Sequence, residues 1–517
     1  MKKNIRKILF LYPPILLAHS DRPSRRLPLG IAYIAAWIEK KIPDIEVSVF
    51  DALVEGFSHS HKEGDRIYWG VPDNQIQERI QFENPDILAI SCQFSVQSGI
   101  VSRLCQKIKE YLPNLIIVVG GPHASSHAKE MLTQSDQIDF IISGEGEAPF
   151  EALVQCLRLN SDFSDVPGLV FRKDGAIAHN PKKFIENIDD LPFPAWHLLK
   201  ISLYQVAATS RWLESRIPSV NMLTSRGCPF KCNFCGIQVA SGKKFRPRSA
   251  ESVLQEIDIL VNKYGFREIH FEDDNMTLNP RRAEKIFDGL IARNYGIQWA
   301  APSGLAIWTL NETLISKMKQ SGCIGANIAI ESGNAYTLKH IINKPLHYHK
   351  VEEVARLLRK YNIPTTGFWV IGIPGETRRM IWESLEYCKR LGLDNNQIAA
   401  AYAYKGTRLY DICHANGFVE EYDPNRITIR DPRIRTPEFS PRLIQILIAA
   451  DRFLAVTKKD RYKKIPFRLK ELWQREGVNA VLVILEIIRH ATYDRILPNK
   501  GLKGKVYTSS NVLNESD

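Results

Sequence analysis

The sequence feature that most constrains this chain is a loop at residues 225–236 that contains three cysteines. With the spacing C-x3-C-x2-C, they are Cys228, Cys232 and Cys235. A loop of this length can direct three thiolates at one inorganic cluster and leave one corner of the cluster without a protein ligand. A structural zinc site would need a fourth Cys or His, and the next candidates, His270 and Cys323, lie too far along the chain. The spacing therefore predicts a [4Fe–4S] cluster with one open iron.

This loop resembles the signature of the radical S-adenosylmethionine (SAM) superfamily, including the aromatic Phe234 directly before the last cysteine. The resemblance implies that the three cysteines hold the cluster and that its open iron chelates the amine and carboxylate of SAM. Phe234 would then lie against the SAM adenine. An electron from the cluster would cleave SAM to a 5′-deoxyadenosyl radical, and an external donor of the flavodoxin or ferredoxin type would resupply that electron.

Residues 1–160 alternate strand and helix patterns in the manner of an open parallel sheet. The predicted strands are Ile8–Tyr12, Glu46–Phe50, Ile87–Ser91, Ile116–Gly120 and Phe140–Ser143. Helices are predicted at Leu29–Glu39 and Ser98–Tyr111. Sheets of this kind bind ligands in the loops at the carboxyl ends of their strands. We therefore expect a ligand site in the loops that follow these strands.

The loops resemble the fingerprint of cobalamin-binding domains, D-x-H-x-x-G followed by S-x-L and G-G. The chain has Asp51–Gly56 in the first position, Ser91-Cys92-Gln93 in the second and Gly120-Gly121 in the third. Leu53 stands where the family carries its cobalt-ligating histidine, so the resemblance implies cobalamin without a histidine on its lower face. The implied cobalamin contacts are Tyr12, Pro13, Leu53, Ser91, Gln93, Gly120, Gly121, Gly144 and Glu145. The alternative for this Rossmann-like domain is a flavodoxin-like fold without a corrinoid.

Residues 216–424 contain a βα series that is typical of a barrel or partial barrel. The predicted strands after the cysteine loop are Glu268–Phe271, Gln298–Pro302, Ala326–Ile330, Thr365–Ile371 and Gln397–Tyr402. Helices are predicted at Glu251–Tyr264, Asn311–Ser321, His349–Tyr361 and Glu376–Leu391. By resemblance to the superfamily, this region is a (βα)6 partial TIM barrel. Its active face would lie at the carboxyl ends of the strands.

Three of these strand ends resemble SAM-binding motifs. Residues 272–274 stand where the superfamily has its Gly-Gly-Glu contact to the SAM amine, and Asp274 falls on the glutamate position. The ribose and carboxylate contact is matched by Glu331, and the adenine loop G-x-I-x-G-x-x-E is matched in part from Gly372 to Glu376. The implied SAM contacts are Phe234, Glu272, Asp273, Asp274, Glu331, Ser332 and Gly372. The acidic cluster could also be a set of helix N-terminal charges before Pro280.

The remaining segments carry weaker patterns. Residues 161–215 are predicted to be a linker with a hairpin turn at 173–175. Residues 425–517 are predicted to be a helical domain with a disordered tail, with helices at Pro441–Lys458, Phe467–Glu476 and Val478–Tyr493. The apolar run at 478–488 is too short to span a membrane. It favours a helix packed on the barrel, and basic neighbours leave peripheral membrane contact as the alternative.

Charge and cysteine content bear on the partners and the cellular compartment of the protein. The net charge of +12 is distributed along the chain, which favours a solvated surface over nucleic-acid binding. Nine cysteines without a regular pairing pattern favour a reducing, cytoplasmic compartment. The six outside the loop are predicted to be buried apolar side chains: Cys92, Cys105, Cys156, Cys323, Cys388 and Cys413.

The combined features predict a cobalamin-dependent radical SAM methyltransferase. It would transfer a methyl group from methylcobalamin to a carbon of a small-molecule substrate that the 5′-deoxyadenosyl radical has activated. One alternative is a cyclase or oxidative rearrangement enzyme with the same cofactors, similar to anaerobic tetrapyrrole cyclases. Another is a cobalamin-binding sensor with a relic barrel, which the intact cysteines and acidic strand ends disfavour. The identity of the substrate does not follow from any of these motifs.

Overall fold

The computed structural model describes residues 4–19, 21–204, 207–209, 214–419 and 432–454, together with 473, 480–485 and 507. The strands in chain order are β1 (Lys7–Tyr12), β2 (Ile15–Ala18), β3 (Glu46–Asp51), β4 (Ser60–Glu63), β5 (Arg66–Trp69), β6 (Ile87–Ser91), β7 (Ile116–Gly120), β8 (Phe140–Ile142), β9 (Leu169–Lys173), β10 (Ala176–His179), β11 (Ala207–Thr209), β12 (Glu214–Met222), β13 (Ser225–Arg226), β14 (Arg246–Pro247), β15 (Glu268–Phe271), β16 (Gln298–Leu305), β17 (Cys323–Glu331), β18 (Thr365–Ile371) and β19 (Asn395–Ala400). The α-helices are α1 (Leu29–Lys41), α2 (Ala52–Glu55), α3 (Asp73–Glu83), α4 (Ser98–Tyr111), α5 (Pro122–Gln134), α6 (Glu147–Leu159), α7 (Ile237–Ser241), α8 (Ala250–Asn262), α9 (Pro280–Arg293), α10 (Glu312–Gln320), α11 (Tyr348–Lys360), α12 (Arg378–Leu391), α13 (Arg408–Ala415) and α14 (Pro441–Leu454).

The first sheet has seven strands in the order β10-β9-β8-β7-β6-β1-β3. Strands β3, β1, β6, β7 and β8 run parallel, which is the flavodoxin-like order 2-1-3-4-5. In this arrangement a ligand binds outside the carboxyl ends of the strands, where the strand order reverses. The reversal lies between β1 and β6, which end at Tyr12 and Ser91. The five predicted strands and two predicted helices are all present, with ends that differ by at most two residues.

A hairpin extends this sheet beyond residue 160, the predicted end of the domain. Strands β9 and β10 pair antiparallel, and β9 also pairs with β8. The turn uses Asp174 and Gly175 in the left-handed region, at φ +50° and +78°, as the sequence predicted. The hairpin joins the sheet because Leu169, Val170 and Phe171 are buried against it. Residues 169–179 of the predicted linker therefore belong to the first sheet.

The second sheet has the order β11-β12-β15-β16-β17-β18-β19. The last six strands are parallel, with α8 to α12 between successive strands, which is the predicted (βα)6 arrangement. Strands β16 and β17 continue past their predicted ends, to Leu305 and Glu331. The interior is dense with aromatic side chains, since Trp299 is fully buried and stacks on Phe287 with ring centroids 5.1 Å apart. This core holds the strand ends in place.

Sequence patterning did not predict a small antiparallel sheet of β2, β5 and β4. Strand β4 is the polar sequence Ser-His-Lys-Glu and shows no apolar alternation, so the pattern that marks most strands is missing. Helices α3, α5 and α6 were also not predicted. They complete the layers on the faces of the first sheet.

Only part of the C-terminal region lies within the described residues. Helix α14 begins at the predicted Pro441, whereas most of the predicted helices 467–476 and 478–493 and the tail 506–517 lie outside them. Residues 480–485 are helical, with Ala480 and Val483 buried in the barrel core and Val481 and Leu485 exposed. This pattern supports a helix packed on the barrel. Within the part of the chain that the structure describes, no helix is long and apolar enough to cross a membrane.

Candidate active site

The carboxyl edges of the two parallel sheets meet, and the candidate site lies between them. Asn221, near the end of β12, exchanges hydrogen bonds of 2.9 and 3.0 Å with the backbone of Leu27. Arg26 pairs with Glu272, which directly follows β15. Leu27 and Arg26 belong to the segment that enters α1 of the first domain. The loops predicted to bind cobalamin and those predicted to bind SAM therefore belong to facing edges.

The cysteine loop follows β12 and is held from both sides. Gly227 has φ +80°, and a Cβ at this position would lie 2.3 Å from the carbonyl oxygen of Lys244, so only glycine fits. Asn233 donates through its backbone N to Ile342 O at 2.9 Å and through Nδ2 to Ile341 O at 2.6 Å. Its own carbonyl accepts from Leu409 N at 2.8 Å. The loop is thus fixed before any cluster binds.

The thiols of this loop suit a cluster with three cysteine ligands. All three cysteines are free, and Asn275 Nδ2 donates to Cys228 Sγ at 3.2 Å. Burial raises the pKa of Cys232 to about 11 and of Cys235 to about 12, so that iron would have to displace their protons. Within the described ranges, no three His, Cys, Asp or Glu side chains approach closely enough to hold a single metal ion. A cubane accepts wider spacing than one ion because four irons lie between its ligands.

The acidic residues after β15 have three different environments. The carboxylate of Asp273 accepts from Thr224 N and Oγ1, the latter at 2.7 Å, and from Ser225 Oγ, so it anchors the start of the cysteine loop. Glu272 pairs with Arg26 and accepts from Ser303 Oγ at 3.0 Å. These two predicted SAM contacts are therefore occupied within the chain.

Asp274 differs because its carboxylate has no hydrogen-bond partner among the described residues. Burial, with a contribution from Asp273, raises its pKa to about 6. Its charge acts on the thiols of Cys228 and Cys235, which places it beside the cysteine loop. A partly buried carboxylate without a partner is costly unless a donor binds it. Of the three acidic residues, Asp274 best fits the SAM amine.

Glu331, at the end of β17, has a left-handed backbone and a buried cationic partner. Its φ of +71° is unusual for a residue other than glycine and is typical of functional sites. Lys344 Nζ lies 2.9 Å from Glu331 Oε1 and donates to Ala329 O at 2.7 Å. The charge of Lys344 also acts on Cys228 and Cys232. Sequence reasoning missed Lys344, because it follows a π-helix at Thr337–Ile342 that has no sequence signature.

Two further predicted SAM contacts, Ser332 and Gly372, have internal roles. Ser332 is fully buried, and its Oγ lies 2.8 Å from Ser384 Oγ, so it organises the turn after Glu331. Glu376 Oε2 accepts from the backbone N of Gly372 at 2.8 Å and of Ile373 at 2.9 Å. Burial raises the pKa of Glu376 to about 7. The partial adenine motif is therefore a loop that its own glutamate closes.

On the first domain, the predicted cobalamin contacts lie in the loops after β1, β3, β6, β7 and β8, on both sides of the strand-order reversal. Tyr12 donates through its hydroxyl to Gln93 Oε1 at 3.0 Å, and Pro13 O accepts weakly from Gln97 Nε2 at 3.4 Å. Cys92 N donates to Gly120 O at 2.7 Å, which joins the loops after β6 and β7. Gly144 N donates to Ser125 Oγ at 2.9 Å.

Leu53 lies in α2 and is only 4% exposed, packed in the core of the first domain. It therefore offers a ligand neither a lone pair nor much surface. The neighbouring Asp51 is equally buried, accepting from Val54 N at 2.9 Å and from Tyr204 Oη at 2.6 Å. These bonds tie the Asp51–Gly56 loop to the segment that leads into the barrel.

The loop after β7 contains a backbone conformation that only glycine tolerates. Gly121 has φ +106° and ψ 173°, and a Cβ there would lie 2.8 Å from the carbonyl oxygen of Cys92. Gly120 has room, since the nearest atom to its Cβ would be Ile142 O at 3.8 Å. A cradle of this kind lets a bulky cofactor approach the backbone, which fits a corrinoid.

Replacing Gly121 with alanine is expected to destabilise the protein by about 1–3 kcal/mol, because the backbone strain and the collision with Cys92 add together. Gly120→Ala is the matched control, one residue away with an ordinary backbone, and is expected to change stability much less. Chemical denaturation of both variants measures the difference. Equal unfolding midpoints would contradict the role assigned to Gly121.

A buried network of charges joins the two edges beside the cysteine loop. Arg226 Nη2 lies 2.7 Å from Glu147 Oε1, and its guanidinium stacks on the Tyr33 ring, 5.0 Å from the centroid. Arg246 binds both oxygens of Glu145, at 2.8 and 2.7 Å. Burial alone would lower the pKa of Arg226, but the carboxylates of Glu147 and Glu145 raise it above its usual range.

This network includes one of the predicted cobalamin contacts. Glu145 was predicted to contact cobalamin, yet both its oxygens bind Arg246 across the interface between the domains. Its side chain is 7% exposed. Glu145 and Glu147, which follow β8, both pair with Arg226, two residues before Cys228. These pairs hold the cysteine loop against the first domain.

Comparison with known proteins agrees with this geometry. The B12 binding domain model matches residues 22–154, and the radical SAM superfamily model matches residues 222–388. Cytidylyl-2-hydroxyethylphosphonate methyltransferase from Streptomyces wedmorensis is 30% identical over 473 residues, which cover 84% of this chain and 87% of that protein. Anaerobic magnesium-protoporphyrin IX monomethyl ester cyclase from Synechocystis is 29% identical, covering 78% of this chain and 77% of that protein.

The fold is similar to that of the cobalamin-dependent radical enzyme OxsB, solved with aqua-cobalamin and SAM bound. The TM-score is 0.67 at 16% sequence identity, covering 96% of this chain and 76% of OxsB. At this identity the likeness shows the fold, and the methyltransferase relative at 30% identity shows the family. The chain therefore belongs to the cobalamin-dependent radical SAM methyltransferases, enzymes that use a [4Fe–4S] cluster, SAM and cobalamin.

Proposed function

We propose that this enzyme methylates an unactivated carbon of a small-molecule substrate held between the carboxyl edges of its two sheets. The observation that carries this proposal is the meeting of those edges through the buried pairs of Arg226 with Glu147 and Arg246 with Glu145. Two cofactors bound at facing edges would leave a common space for one substrate. A radical formed on one side could then accept a carbon group from the other.

On the barrel side, we assign Cys228, Cys232 and Cys235 to the cluster. Asp274 accepts the SAM amine, since it is the partly buried carboxylate without a partner, and Phe234 packs against the adenine. Glu331 accepts the ribose hydroxyls, with Lys344 holding its carboxylate at 2.9 Å. When bound, the cluster and SAM supply a carbon-centred radical and cobalamin supplies a methyl group; the chain positions them and excludes water.

On the first domain, we assign the corrinoid to the rim formed by Tyr12, Ser91, Gln93, Gly120 and Gly121. Leu53 stands in place of an imidazole donor and is buried. The chain therefore provides no histidine for the lower face of cobalamin at this position. A cobalt centre without a protein nitrogen ligand should give up a methyl group to a carbon radical more readily.

The enzyme requires one electron for each SAM that it cleaves reductively. We propose that this electron comes from an external protein of the flavodoxin or ferredoxin type. The nine cysteines are all free in the structure, and three of them must stay reduced to hold a cluster. A reducing compartment such as the cytoplasm suits both requirements.

The test of this function is anaerobic turnover with SAM that carries a deuterated methyl group. Candidate substrates should gain the labelled methyl on carbon while 5′-deoxyadenosine forms, as mass spectrometry would show. The cyclase relative from Synechocystis makes ring closure the second candidate. A product that loses hydrogen and gains no label, formed at the same rate as 5′-deoxyadenosine, would favour cyclisation and contradict methyl transfer.

A further inference from the structure

We propose that the outer side of the cysteine loop docks an acidic, one-electron donor protein. The surface, called here the basic face, consists of Lys231, Lys339, His340 and Arg408, all exposed around Asn233. It deepens the proposed function, because it rests on the cluster and its need for an electron. It adds the location on this chain at which such a donor docks, which the family assignment does not provide.

Three members of the basic face line a cavity of about 240 Å³ that also contacts the cysteine loop at Asn233. The lining includes Asn233, Lys339, His340, Asn343 and Arg408. Asn233 directly follows Cys232 in the chain and is two residues before Cys235. A protein docked over this cavity would therefore contact the residue next to Cys232, a proposed cluster ligand.

The loop under this surface is rigid, which suits electron transfer. The backbone and amide of Asn233 are both bonded to the turn at 341–342, and its carbonyl accepts from Leu409 N at 2.8 Å. Asn343 Nδ2 donates to the carbonyl of Lys231 at 3.3 Å, which ties the cavity wall to the loop. A docked donor would meet a surface that needs little rearrangement.

The charge of the basic face is uncompensated, in contrast to that of the inner side of the loop. Arg226 on the inner side is neutralised by Glu147 and Glu145. Lys339 and Arg408 make no ion pair within the described part of the chain, and no Asp or Glu is among the lining residues. Like charges held together without counter-ions raise the local potential and attract an anionic partner. Since the inner side faces the first domain, the outer side remains for a protein donor.

In the transfer step, the donor loses one electron and the oxidised cluster gains it, so the donor leaves one-electron oxidised. The chain needs no other reductant. Dithionite, as a small reductant, should reach the cluster without using the basic face. A defect seen with the protein donor but not with dithionite therefore lies in docking, and not in any later step.

The test compares Lys339→Glu/Arg408→Glu with the control Arg281→Glu/Lys285→Glu, which makes the same charge change on exposed residues of α9. Initial rates of 5′-deoxyadenosine formation are measured with a reduced flavodoxin and separately with dithionite. We expect the flavodoxin-driven rate of the first variant to fall at least tenfold and to lose its dependence on salt. Its dithionite-driven rate should stay within twofold of the unmodified enzyme, as should both rates of the control.

Equal flavodoxin-driven rates in the two double variants would overturn the proposal. A matching loss of the dithionite-driven rate would also overturn it, because the residues would then act on the cluster or the fold. Normal flavodoxin-driven SAM cleavage without methylated product would contradict the proposed function and leave the docking surface supported. The two proposals therefore fail in different experiments.

Discussion

Replacing Cys232 with alanine is expected to eliminate 5′-deoxyadenosine formation while leaving cobalamin binding intact. The cluster would lose one of three thiolate ligands, and the loop at residues 225–236 contains no further cysteine to replace it. The corrinoid rim belongs to a different sheet with its own core. Iron content, cluster absorbance and the yield of 5′-deoxyadenosine measure the loss of the cluster and its activity in the purified variant. The cobalamin spectrum of the same variant measures whether cobalamin binding is intact.

Cys156→Ala is the matched control, because Cys156 is a partly exposed thiol on α6 outside the cysteine loop. It should retain both the cluster and SAM cleavage. Loss of cobalamin from Cys232→Ala would mean that the two cofactor sites are not independent. Retention of SAM cleavage in Cys232→Ala would contradict the assignment of the cluster.

Replacing Arg226 with alanine is expected to lower stability by about 3–5 kcal/mol, because it leaves buried carboxylates without their cation. It should also uncouple the two cofactor sites. The cysteine loop would lose its anchor to the first domain, so more 5′-deoxyadenosine should form for each methylated product. A purely structural ion pair would lower both products together, whereas a positioning residue changes their ratio.

Arg226→Lys should restore part of the ratio, since an ammonium can still pair with Glu147. The control is Arg293→Ala, which breaks a partly exposed pair with Asp258 and should cost only about 0–1 kcal/mol. If Arg226→Ala unfolds at the same denaturant concentration as this control, the buried ion pairs of Arg226 contribute no more to stability than a partly exposed pair. That result would contradict the effect of burial that we assign to the network. If the ratio of 5′-deoxyadenosine to methylated product is unchanged in Arg226→Ala, the residue stabilises the fold but does not position the cysteine loop.

Local patterns were sufficient to predict most parallel strands of the two large sheets and the cysteine loop. Strand runs such as Ile87–Ser91 and Thr365–Ile371 consist mostly of apolar and β-branched residues, which is typical of buried parallel strands. Ser249 and Asn311 cap the helices that follow them, since each accepts from a backbone N three residues later. Spacing alone predicted the three cluster ligands, because all three lie in one short loop.

The site residues that the sequence did not reveal depend on long-range contacts. Lys344 meets Glu331 only because a π-helix turns the chain back, and no periodicity marks that turn. Asp273 and Asp274 are adjacent acidic residues, and only the fold shows that Thr224 and Ser225 occupy the first and leave the second available. Glu145 stands in a loop whose composition is typical of ligand binding. Its ion-pair partner Arg246, however, lies 101 residues away in the sequence.

The hairpin of β9 and β10 has a practical consequence for dissecting this protein. Strand β8 would be the open edge of the first sheet in any fragment that stopped at residue 160, and unpaired edges recruit other chains. In the intact chain, β9 covers that edge from Phe171, opposite Phe140, to Leu169, opposite Ile142. A soluble cobalamin-binding fragment should therefore extend at least through His179, and a shorter one should self-associate.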